Sequence, residues 1–124
     1  MTGLGKKIKS RYLYGVKFLI TENRLERVIS KYLDNKNYVI KETDDRYYFL
    51  ENEDDEYAQI VVIKDNSECF LYYELIKEIE SFFSLEKFMG KGKEVLTRYV
   101  ENVLNIEVSH TFIETMYSLR LIVH

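Results

Sequence analysis

Tyr38-Val39-Ile40-Lys41-Glu42-Thr43-Asp44-Asp45-Arg46-Tyr47-Tyr48-Phe49-Leu50 reads as two strands folded back on each other. Tyr38-Val39-Ile40-Lys41 is dense in β-branched and aromatic residues, which suit a pleated, half-buried surface. Thr43-Asp44-Asp45 supplies short side chains that bond to nearby backbone and favour a turn. Arg46 to Leu50 is the return strand. This hairpin sets a local, antiparallel origin for the sheet, and the segments on either side are read relative to it.

Downstream, the acidic run Glu51-Asn52-Glu53-Asp54-Asp55-Glu56 has no apolar residue and reads as a connection. Tyr57 to Lys64 is a third strand, Asp65-Asn66-Ser67 a turn, and Cys69 to Tyr73 a fourth strand in preference to a first helical turn. The period then becomes helical. Leu75, Ile76, Ile79, Phe82 and Phe83 share one stripe, and Val95, Leu96, Tyr99, Val100, Val103 and Leu104 another. Leu85 to Lys93, with Gly90 and Gly92, joins the two helices. Ile106, Val108, His110 and Phe112, then Leu119, Leu121 and Val123, alternate as one or two closing strands.

Upstream, Leu25, Val28, Ile29, Tyr32 and Leu33 fall at helical spacing after Thr21, a residue that can cap a helix, and Asp34-Asn35-Lys36-Asn37 ends that helix. Residues 11–20 read as a first strand, with Tyr12, Tyr14, Val16, Phe18 and Ile20 on one face. Residues 1–10 read as a flexible basic arm. With no Pro, repeat or linker, residues 11–124 form a single α+β domain. The expected architecture is a mostly antiparallel sheet of four to six strands with about three helices on one face. Leu25, Ile29, Leu75, Ile79, Phe83, Leu96 and Val100 are the expected core.

The chain has 124 residues, enough for a core that needs no metal or disulfide. One cysteine, Cys69, precludes an internal disulfide and fits a reducing compartment. No apolar run reaches bilayer length, and the basic N-terminal stretch lacks a small-residue cleavage site, so a cytoplasmic protein is expected. Charge is segregated. Residues 1–41 hold ten Lys/Arg against three Asp/Glu, whereas residues 42–86 hold three against fourteen. Such a division steers charged partners without specifying a chemistry.

The candidate chemistries fail on spacing. Gly3-Leu4-Gly5-Lys6-Lys7 and Gly90-Lys91-Gly92-Lys93 lack the Ser/Thr of a phosphate-cradling loop. The acidic run lacks the central Gly and closing Glu of a calcium loop. Glu74-Leu75-Ile76-Lys77 has neither the spacing nor the strand context of a metal-dependent nuclease. Cys69 and His110 both fall in apolar-periodic segments, where a small buried hydrophobe and a strand residue are the better readings. No catalytic residue, metal site or cofactor is assigned.

In overall character the chain is similar to bacterial immunity proteins and phage-encoded inhibitors: small, acidic, aromatic-rich and without a catalytic motif. The similarity is one of type and transfers no residue roles. The expected function is a non-catalytic protein-binding module, an inhibitor or immunity-type protein that occludes a basic surface of a protein partner. Asp44, Asp45, Glu51, Glu53, Asp54, Asp55 and Glu56 would steer association, and Tyr47, Tyr48 and Tyr57 would anchor it. The alternative is a nucleic-acid accessory protein using Lys6, Lys7, Lys9 and Arg11, which could contact phosphates while Tyr12 and Tyr14 stack on bases. A third reading is a small enzyme whose site the sequence does not display. No membrane partner is expected.

Overall fold

The computed structural model describes residues 22–86, 88 and 90–122. Helix α1 (Glu22–Asp34) precedes strands β1 (Val39–Glu42), β2 (Arg46–Leu50), β3 (Ile60–Ile63) and β4 (Glu68–Tyr72). Helices α2 (Tyr73–Phe82) and α3 (Lys91–Leu104), strand β5 (His110–Glu114) and a 3-10 turn at Met116–Leu119 follow. The expected strand over residues 11–20 and the arm over residues 1–10 lie outside the described residues. Among the described residues no helix is long and apolar enough to cross a membrane.

The sheet order is β1-β2-β3-β4-β5. The first three pairings are antiparallel, with Phe49 opposite Ile60 and Ile60 opposite Leu71. Strand β5 instead lies parallel to β4, with Cys69 opposite Thr111. A parallel neighbour needs a long crossover, and the α2–α3 pair supplies it. The fold is therefore α+β, with a mostly antiparallel five-stranded sheet and three helices packed against it.

Side chains alternate across a strand, so the register sorts the core. Phe49, Ile60, Val62, Cys69 and Leu71 point toward the helices, where they meet Ile29 and Leu33 of α1. Leu75, Ile76 and Ile79 of α2 and Val95, Leu96, Tyr99 and Val100 of α3 complete that cluster. The opposite face carries a smaller cluster of Tyr48, Leu50, Ala58 and Val61, closed by Leu119 from the C-terminal segment. Phe112 stacks on Phe70 there, with ring centroids 5.3 Å apart.

The local chemistry explains the element ends. Asn37, Ser67 and Asn105 adopt left-handed backbone at the ends of α1, the β3–β4 turn and α3, a conformation that Asn tolerates better than most residues. The Asn66 side-chain oxygen accepts the Glu68 amide at 3.0 Å. Gly90 sits before α3 at φ 79°, where other residues are strained. Gly92 lies inside the first turn of α3 rather than in the expected connector. A Cβ there would stand 2.7 Å from Glu80 Cγ, so the absent side chain permits the α2–α3 approach.

The expected core needs correction at its margins. Leu25 and Phe83 are only half-buried, and three stripe residues face outward: Val28, Phe82 and Val103. The apolar arc of each helix is wider than the strip it presents to the sheet. The expected third strand, residues 57–64, is shorter because Tyr57 pairs with Arg120 in an isolated bridge.

Glu78 is held by two hydrogen bonds, from Lys36 Nζ at 2.7 Å and Tyr32 Oη at 2.6 Å. Burial pushes its carboxyl up, but those two bonds outweigh burial and hold it below the usual carboxylate range. A carboxylate depressed in the folded state stabilises above its unfolded pKa and loses that contribution as pH falls through the folded value. Glu78→Gln should therefore lower stability at neutral pH, and its deficit should shrink as the pH drops below about 4. Chemical denaturation of both chains across that range checks this. In the same assay Ile79→Ala should cost about 2–5 kcal/mol, whereas Val103→Ala should cost less than about 1 kcal/mol because Val103 is 40% exposed.

Candidate binding face

The connection between β2 and β3 has no apolar residue from Glu51 to Glu56, so it must leave the sheet. It closes on itself through Asn52 and Asp55. The Asp55 amide donates to the Asn52 carbonyl at 3.1 Å, and the Asn52 amide donates to Asp55 Oδ2 at 2.9 Å. The C-terminal segment then ties this loop to the sheet. Ala58 donates to the Leu119 carbonyl and Leu121 to the Glu56 carbonyl, each at 2.9 Å. Arg120 lies 3.6 Å from the Glu56 carboxylate, and its guanidinium carbon is 6.0 Å from the Tyr57 ring centroid.

A depression of about 460 Å³ results, bordered by Lys41, Glu53, Asp54, Glu56, Arg120 and Leu121. Tyr57 is half-buried on its flank, and Tyr117 meets it edge-to-face at 6.0 Å. Tyr117 is 76% exposed, and Met116 and Ile122 are exposed nearby in sequence. Glu51, Glu53 and Asp54 form no ion pair among the described residues and are solvated. This end of the sheet is thus an acidic rim beside a small aromatic and apolar surface.

The ten expected contact residues do not form one surface. Glu51, Glu53, Asp54, Asp55, Glu56 and Tyr57 come together. Asp44 and Asp45 occupy the β1–β2 turn at the other end of β2, separated by a strand about 17 Å long. Asp45 is also engaged locally, accepting from Thr43 Oγ1 at 3.0 Å and facing Arg46 at 3.7 Å. Tyr47 is half-buried on the helix-facing side, with Lys64 Nζ 4.9 Å from its ring centroid. Tyr48 is 1% exposed, and its hydroxyl accepts the Ile122 amide at 3.3 Å. It is a core residue, which corrects its expected role as an anchor. Lys6, Lys7, Lys9 and Arg11 lie outside the described residues.

Tyr117, Met116, Arg120 and Ile122 were missed by sequence reasoning. The signal was present: the apolar alternation falls on even positions through Phe112 and on odd ones from Leu119. That phase change marks a break in the chain, and Met116 and Tyr117 stand in it.

The other candidates are accounted for by their surroundings. Lys91 Nζ turns back to Glu94 at 3.3 Å, so it does not extend from the α3 N-terminus toward an anion. Cys69 faces the helices, while His110 falls on the opposite face of the sheet by register, so they form no dyad. Among the described residues no three His, Cys, Asp or Glu side chains converge in a way that could hold a metal ion. No family model, curated protein or solved structure matches the chain.

Burial, reinforced by the charge of Glu101, pushes the Cys69 thiol up to about 12. Reactivity requires thiolate and access, and Cys69 has neither at neutral pH. Ellman's reagent should therefore find almost no reactive thiol in the native chain at pH 8 and one after denaturation. Rapid modification of the native protein would show that β4 opens readily.

Proposed function

We propose that the chain is a protein-binding module whose acidic pole, Glu51 to Glu56, captures a basic surface of a partner, in the manner of an inhibitor or immunity-type protein. One observation carries this reading: Glu53 and Asp54, which form no ion pair among the described residues, border one depression with Arg120, and Arg120 lies against Tyr57, whose ring meets the exposed ring of Tyr117 edge-to-face. Fold stability has little use for either feature. Like charges crowded on one loop repel one another, and an exposed Tyr leaves apolar surface in water.

In this reading the two features divide the work. The carboxylates raise the rate of encounter and fix orientation, while Tyr117 and Tyr57 supply a compact area that excludes water once docked. Arg120 holds Glu56 and backs Tyr57, keeping the rim and the rings in register. Asp55 closes the loop and serves the module through its shape.

The test uses the partner recovered by pull-down from the native host, once it is purified. Reversing Glu53 and Asp54 to Lys should slow association by about 10-fold or more at low salt, with little change in dissociation. Added salt should erase most of the difference. Tyr117→Ala should instead act mainly on dissociation. Stopped-flow binding at two salt concentrations separates these effects. Association indifferent to both the reversal and the salt would refute the reading. Sub-micromolar, salt-sensitive binding to generic DNA or RNA, lost on neutralising Lys6, Lys7, Lys9 and Arg11, would replace it with the nucleic-acid alternative.

A further inference from the structure

Strand β5 is an outer strand of the sheet, and among the described residues nothing pairs with its outer side. An unpaired edge presents a row of amide and carbonyl groups that another strand can bond, and chains commonly blunt such edges with Lys, other charges or Pro. The other outer strand, β1, carries Lys41 and Glu42. In β5 the three central residues are Thr111, Phe112 and Ile113, with neither Lys nor Pro in the strand. Phe112 is 40% exposed and Ile113 45% exposed, and as neighbours in a strand they lie on opposite faces.

We infer that β5 pairs edge to edge with β5 of a second copy, antiparallel about a two-fold axis at Phe112. The strand's own sequence selects that occupant, because His110-Thr111-Phe112-Ile113-Glu114 complements itself when reversed. In this register His110 opposes the second copy's Glu114 at both ends, Thr111 opposes Ile113, and Phe112 opposes its counterpart. Directly opposed charged and aromatic pairs of this kind are what stabilise antiparallel strands. The faces agree as well. His110, Phe112 and Glu114 share one face, which the two-fold axis keeps on one side of both copies. On that face Phe70 already stacks on Phe112 at 5.3 Å, and the His110 ring lies 6.4 Å from Phe112. Pairing would continue this row across the axis and cover the exposed Phe112. Strand β1 has no such match: a two-fold axis at its centre sets Ile40 against Lys41 and Val39 against Glu42. Its Glu42 is also bonded to Lys64 at 2.6 Å.

The inference is independent of the acidic pole, and its test needs only the purified full-length chain. A five-residue strand pair is a small interface, so monomer should pass to dimer between about 1 µM and about 1 mM in sedimentation velocity. Glu114→Lys should weaken the dimer about fivefold or more, whereas E107K, the same charge change outside the strand, should leave it unchanged. Cross-linking reads the register. Opposed residues stand about 4.5–5.5 Å apart, within disulfide reach, and diagonal ones about 7–8 Å apart, beyond it. F112C, on the axis, should therefore form an inter-chain disulfide at least about tenfold faster than the similarly exposed but off-axis I113C. Cys69 is buried in both. A parent chain that stays monomeric up to about 1 mM would overturn the inference. So would a dimer indifferent to E114K, which would place the contact elsewhere, or equal cross-linking of F112C and I113C, which would mean random collision. An F112C thiol shielded from Ellman's reagent in the monomer would overturn it too, by assigning the edge to another segment of the same chain. Sedimentation of the parent and E114K decides the matter even where F112C fails to fold.

Discussion

Ile60, Val61 and Val62 are all buried, although they alternate between the two faces of the middle strand. A strand buried on both sides requires a layer on each side, and the rest of the chain is arranged to supply them. Helices α1, α2 and α3 close over Ile60 and Val62, and the C-terminal segment closes over Val61 through Leu119. Full burial of each such side chain contributes roughly 1.5–3 kcal/mol. Both faces of the sheet centre are thereby committed to the core, and exposed charge is left to the strand ends and the outer helix surfaces.

This constraint organises the electrostatics. Of the fourteen acids between residues 42 and 86, none lies in the buried strands β2 and β3. Most stand in the turns at the two ends of β2 and along α2. At the end holding Asp44 and Asp45, nearby cations engage part of the charge: Lys64 bonds Glu42 at 2.6 Å and Arg46 faces Asp45. At the other end, among the described residues, Glu56 faces Arg120, while Glu51, Glu53 and Asp54 form no ion pair. The proposed binding reading rests on this difference between the two poles rather than on the total charge.

Much of the fold was legible because local chemistry and global topology agree. The Thr43-Asp44-Asp45 and Asp65-Asn66-Ser67 turns, the fourth strand and the three helical periods all stand where their residues put them. The face of each side chain was harder to read. Arg46-Tyr47-Tyr48-Phe49-Leu50 has no polar-apolar alternation after Arg46, because both faces of β2 are apolar. Nothing local therefore distinguishes Tyr48, a core residue, from its half-buried neighbour Tyr47. The same ambiguity made a contiguous acidic region look like one surface. A strand of five residues runs through it and carries its parts to opposite ends. The parallel docking of β5 and the pairing of Arg120 with Tyr57 are long-range contacts, and no short window of sequence encodes them.

The central claim is that one pole of the sheet, and not its charge as a whole, forms the binding face. Amide hydrogen exchange on the complex with the recovered partner tests this most directly, because exchange reports protection residue by residue. The account predicts new protection confined to residues 51–58 and 116–122, with the turns at residues 43–45 and 65–67 unchanged. Protection at those turns, with residues 51–58 and 116–122 exchanging as in the free chain, would contradict it.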